Sequence, residues 1–148
     1  MARGYPDFFG YSIFPQFGTL TEEDSGLFAI VTGNTQTLFT ITQKGKSYGG
    51  ILRYNGQGDV HLKTQAIVIV DGVTISDEVP AGQIHYGYYV IPNQFINLVD
   101  YHITDTYEYV VFNFGTDFSW GKSVVVNLEN TSGMNIAGQC WYWWAKVI

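Results

Sequence analysis

Three histidines, one cysteine, thirteen acidic side chains and a set of serines carry whatever catalytic potential this 148-residue chain has. His61, His85 and His102 lie far apart, in no His-x-His or His-Glu-x-x-His pattern. A zinc or iron site would therefore have to be assembled from distant strands, and the spacing points to no metal and no cofactor. Ser12, Ser25, Ser47, Ser76, Ser119, Ser123 and Ser132 stand in no Gly-x-Ser-x-Gly context, and Cys140 sits in an apolar run without a neighbouring histidine. Nucleophilic catalysis has no recognisable foothold in that pattern, and Cys140 reads as a small buried hydrophobe. No spacing singles out a pair of carboxylates for acid–base work. Glu22-Glu23-Asp24, ahead of Ser25-Gly26, reads as a solvated loop cluster because no alternating Asp-x-Asp-x-Asp series follows. Gly45, Gly49 and Gly50 read as a turn between two strands, with no following helix whose N-terminus could hold a phosphate. Asn130-Thr131-Ser132 matches a glycosylation sequon, a frequent chance match. The chain reads as a non-enzyme.

What would position these residues is a set of strands. Apolar and polar residues alternate with period two, interrupted at short intervals by Gly, Asn, Asp and Ser, the pattern of antiparallel strands joined by turns. Strands are expected over Leu27–Thr32, Thr37–Thr42, Tyr48–Tyr54, Ala66–Val70, Val73–Ile75, Ile84–Ile91, Ile96–Ile103, Tyr107–Phe114, Ser123–Glu129 and Ala137–Val147. Asp71-Gly72, between Ile67-Val68-Ile69-Val70 and Val73-Thr74-Ile75, has the composition of a two-residue type I′ hairpin turn. The loop Asn130–Asn135, with Gly133 free to adopt a left-handed conformation, joins the last two strands as an antiparallel pair. Such strands are best used by two antiparallel sheets packed face to face, an all-β sandwich, with an eight-stranded jelly roll as the first choice.

Composition limits the partners. Lys and Arg number 7 against 13 Asp and Glu, for a formal charge of −6, and only 14% of residues are charged. A phosphate backbone or an anionic bilayer surface needs clustered cations; here only Lys44 and Lys46 stand close, and they read as a solvated turn. Nucleic acid and membrane are excluded as partners. A single cysteine rules out an internal disulfide. Neither a secretory signal nor an 18-residue apolar run is present, so the expectation is a soluble protein made in the cytosol.

The aromatic content, 17%, remains to be explained. Residues 1–18 form an aromatic arm: Tyr5, Phe8, Phe9, Tyr11, Phe14 and Phe17 are separated by Pro6, Pro15 and glycines that deny it a helix or a long strand. Residues 19–148 then form one sandwich domain. Six such rings docked on a neighbour would contribute on the order of 10 kcal/mol before ordering costs, enough to hold an assembly. A fold-back onto the arm's own domain is the alternative. In Gln139–Val147, alternation sends Trp141, Trp143, Ala145 and Val147 to one face and Cys140, Tyr142, Trp144 and Lys146 to the other. The side with Tyr142 and Trp144 is read as the one needing cover from the arm, a loop or another subunit. With Tyr86 and Tyr88, these two are candidate interface or sugar-stacking aromatics.

The opening Arg3-Gly4-Tyr5-Pro6-Asp7-Phe8-Phe9-Gly10 with Phe14-Pro15-Gln16-Phe17-Gly18, then Thr40–Gly50 and Val70-Asp71-Gly72-Val73, resembles small virion proteins of tailed bacteriophages. The resemblance implies a β-sandwich or jelly roll that decorates or cements a capsid, or sits in a tail or fibre. It also implies homo-oligomers, trimers or larger rings, contacts with other virion proteins, and a virion location after synthesis in the host cytoplasm. It carries no functional-residue pattern. The competing expectation from a different class is a carbohydrate-binding, lectin-like module.

Overall fold

The computed structural model of the chain describes residues 17–57, 63–76, 96–103, 108–116 and 118–147. Tyr5, Phe8, Phe9, Tyr11 and Phe14 of the arm, the expected strand Ile84–Ile91 with Tyr86 and Tyr88, and His61 and His85 lie outside them.

Among the described residues, eleven strands make up two antiparallel sheets: β1 (Phe17–Asp24), β2 (Phe28–Ile30), β3 (Thr35–Ile41), β4 (Gly45–Gly56), β5 (Thr64–Val70), β6 (Val73–Ser76), β7 (Ile96–Ile103), β8 (Glu108–Phe114), β9 (Ser119–Trp120), β10 (Val124–Asn130) and β11 (Ile136–Val147). The larger sheet runs β1-β11-β4-β8-β7, with β2 also on β11 and β9 on β4; the smaller runs β3-β10-β5-β6. Numbering β1, β3, β4, β5, β6, β8, β10 and β11 as eight core strands in chain order, the sheets read 1-8-3-6 and 2-7-4-5. That is jelly-roll connectivity, in which every successive pair of core strands except the β5–β6 hairpin passes between the two sheets.

The alternation seen in the sequence becomes burial directly. β5 and β10 bury every second residue, Val68, Val124, Val126 and Leu128 being wholly enclosed. Opposite them, the large sheet contributes Leu52, Tyr54, Val110, Phe112 and Phe114. Aromatic rings tie the two layers together: Phe39 of β3 stacks on Tyr142 of β11 at 4.8 Å and 12°, and meets Phe114 of β8 edge-on at 6.0 Å. Contacts of this geometry add about 0.5–1.5 kcal/mol each to the area they bury. The Asp71-Gly72 turn is as expected, with φ of 51° and 84°, both positive as a type I′ turn requires, and Val70 opposite Val73.

Several expectations are corrected. Glu22-Glu23-Asp24 is not a loop but the end of β1, paired with Trp143, Tyr142 and Trp141. Its polarity hid the strand, because an edge strand with little burial has no apolar alternation to display. Phe17 and Gly18, assigned to the arm, belong to β1. Gly45, Gly49 and Gly50 lie inside β4 and not between strands. Gly45 is a packing glycine: a Cβ there would come within 2.6 Å of the Trp120 ring and 2.9 Å of the Trp144 ring. Lys46 is likewise no turn residue, since its ammonium lies over the rings of Phe17 (5.6 Å) and Tyr48 (5.9 Å). Finally, β10 and β11 do not pair. They belong to opposite sheets, and the loop between them crosses from one layer to the other.

Candidate functional site

The large sheet buries its inner side against the small sheet and leaves its outer side open. The largest correction concerns which side is which. Tyr142 and Trp144, read as surface aromatics, are 0% and 6% exposed, because the small sheet with Phe39 covers that side of β11. The half-buried outer residues are Trp141 and Trp143, roughly 6.6 Å apart along the strand. Trp144 tolerates burial because its indole N–H donates to Glu23 Oε1 at 3.0 Å, and Trp143 is oriented by donating to Glu22 Oε2 at 3.0 Å. The amide of Gln139 donates to Asp24 Oδ1 at 2.9 Å, completing three side-chain links between β1 and β11. This amide and the Gly26 N–H hold the Asp24 carboxyl below its ordinary range. Their combined effect is to fasten a strand that, among the described residues, the backbone ladder bonds on one side only.

The register lays out the outer face in rows. Asp24, Trp141, Ile51 and Asn113 stand side by side across β1, β11, β4 and β8. One row along come Gln139, Arg53 and Val111, and then Ala137, Asn55 and Tyr109. The Arg53 guanidinium lies 5.9 Å from the Trp141 ring centre. At the Ile136 end of β11 the face sinks into an open cleft of about 430 Å³, floored by Ala29, Ala137 and Asn55 and bordered by Gln57, Met134 and Asn135. A second hollow of about 110 Å³ shares Asn55 and Ala137 and is bounded by Leu27, Arg53 and Tyr109. Leu27 is 84% exposed and Met134 44%, an apolar rim beside a floor of small residues.

Among the described residues no group of three His, Cys, Asp or Glu is placed to hold a metal ion. His102 is exposed on β7, opposite Tyr109. Cys140 is fully buried, and burial, with the nearby Asp24 charge, pushes its thiol well above the usual range, away from the reactive thiolate. The sequon asparagine is enclosed as well: Asn130 is 0% exposed, and its amide donates to the carbonyls of Ile30 (2.9 Å) and Met134 (2.8 Å). No helix among the described residues is long and apolar enough to cross a membrane.

Sequence reasoning missed the cleft because its residues, a few amides, small residues and an arginine from β2, β4, β8 and the β10–β11 loop, form no local motif. Only the pairing of β2 and β4 with the two sides of β11 brings them together. No protein-family model matches this sequence, and no curated protein matches it.

Proposed function

We propose that this chain is a non-enzymatic structural protein of a virion, which decorates or cements a capsid and assembles through its N-terminal arm and the edge of its large sheet. One observation carries the reading: residues 1–16 lead directly into β1, an edge strand, and that strand is held by three dedicated side-chain links. An aromatic segment departing from a firmly anchored edge strand suits strand addition to, or clamping of, a neighbouring subunit. Jelly rolls are common among viral capsid and lectin domains, which supports the proposal at the level of fold only. The partners are further copies of the chain and other virion proteins, and a tail or fibre position uses the same contact.

Light scattering on the full chain beside a chain lacking residues 1–16 tests this. Phe17 is kept because its ring sits under the Lys46 ammonium and its backbone pairs with Val147. The expected result is an oligomer that falls to monomer on truncation with an unchanged circular dichroism spectrum. Equal masses for the two chains would overturn the arm as the assembly element.

A further inference from the structure

The cleft at the Ile136 end of β11 lies at the other end of that strand from Phe17, the first residue of β1. Phe17 is opposite Val147, and the twelve residues of β11 place Ala137 roughly 30 Å away at about 3.3 Å per residue. A subunit anchored at its Phe17 end would present this cleft at the opposite end. The chemistry of the cleft is specific in three respects. Asn55, Gln57 and Asn135 each offer both a donor and an acceptor, the pairing that sugar hydroxyls need. Tyr109, which bounds the smaller hollow, and Trp141, which lies outside both cavities with its ring 5.9 Å from the Arg53 guanidinium, are half-buried on the outer face and supply ring surface on which the apolar side of a pyranose can rest. Arg53, bordering the smaller hollow, is the one charged residue among the described residues that line either cavity.

Arg53 also has no carboxylate partner among the described residues. Asp24, in the neighbouring row opposite Trp141, is occupied by Gln139 and Gly26. In a chain of net charge −6, a cation held over an indole beside a 110 Å³ hollow is a local exception in sign. Guanidinium groups match carboxylate and sulfate in a two-pronged geometry. A polyanion would be repelled by the net charge, whereas one anionic group on an otherwise neutral ligand would be accepted.

We infer that the cleft binds a saccharide carrying a single carboxylate or sulfate: Arg53 takes the anion in the smaller hollow, Trp141 and Tyr109 flank the ring, and Asn55, Gln57 and Asn135 bind the neighbouring sugar in the larger. The inference rests on Arg53, Tyr109 and the amides that line the two cavities, so it stands whether or not the arm is the assembly element.

The test is a printed array of neutral, carboxylated and sulfated oligosaccharides probed with the full-length protein, the Arg53→Gln variant and the Trp141→Ala variant. Both variants are first checked for unchanged circular dichroism and mass. The expected result is retention on anionic members at least about tenfold above their neutral cores, the order of a single charge-assisted contact. Arg53→Gln should reduce the anionic members to the neutral level, and Trp141→Ala should weaken all of them. The carboxylated and sulfated arms identify which anion is recognised. A blank array, equal binding of neutral and anionic members, or an Arg53→Gln protein that binds as wild type would each overturn the inference. A blank array would leave the Leu27 and Met134 rim as a contact for protein.

Discussion

Replacing Asn130 by Ala should cost this fold about 3 kcal/mol, because one side chain closes the crossing between the two sheets. The Asn130 amide donates to the carbonyls of Ile30 and Met134, while its oxygen accepts from the Ser132 backbone N–H at 2.9 Å and from the Ser132 hydroxyl at 2.6 Å. A typical intramolecular hydrogen bond contributes about 0.5–1.5 kcal/mol net, and a buried partner left unsatisfied costs more. Four bonds, acting as one network and therefore not fully additive, give about 3 kcal/mol. For a chain of this size about 1 kcal/mol corresponds to about 2–4 °C, so the melting temperature should fall by roughly 6–12 °C. Urea titration of the wild type and Asn130→Ala, followed by tryptophan fluorescence, measures the loss from the shift in midpoint. Asn130→Asp should not rescue it, since the Ile30 and Met134 carbonyls need a donor that a carboxylate lacks. A loss under about 1 kcal/mol, within the range of a single ordinary hydrogen bond, would refute the claim that this side chain holds the crossing together.

Asp71 closes the β5–β6 hairpin onto the segment before β10, its carboxylate accepting from the N–H groups of Gly121, Ser123 and Lys122 at 2.9, 2.9 and 2.6 Å, and these bonds lower its pKa. A lowered folded-state pKa means stability that is present above the unfolded value of about 4 and is lost as pH falls through the folded value. The stability difference between wild type and Asp71→Asn, which keeps the left-handed turn, should therefore be constant at neutral pH and shrink toward zero in acid; a difference independent of pH would refute it. Gly138→Ala should destabilise by about 2–3 kcal/mol in chemical denaturation, because the added methyl runs into the Arg53 carbonyl and within 2.8 Å of Phe28 Cζ and Tyr54 Cβ. Gly18→Ala, whose methyl would meet nothing nearer than 3.6 Å among the described residues, is the control expected to be near neutral.

The fold class, the Asp71-Gly72 hairpin and the burial rhythm of β5 and β10 were determined by the sequence alone, because each is local: a two-residue period and a turn needing positive φ are written in consecutive residues. Strand β1 and the faces of β11 were not. Parity divides Trp141 and Trp143 from Tyr142 and Trp144, but both sets are aromatic, and nothing local says which one meets the other sheet. Phe39, one hundred and three residues before Tyr142 in the chain, decides it by stacking there. The cleft likewise exists only because β11 takes β2 and β4 on its two sides, bringing Ala29, Ala137 and Asn55 to one level. Alternation specifies that a strand has two faces; only long-range pairing chooses the one that is buried and, with it, the surface left for binding.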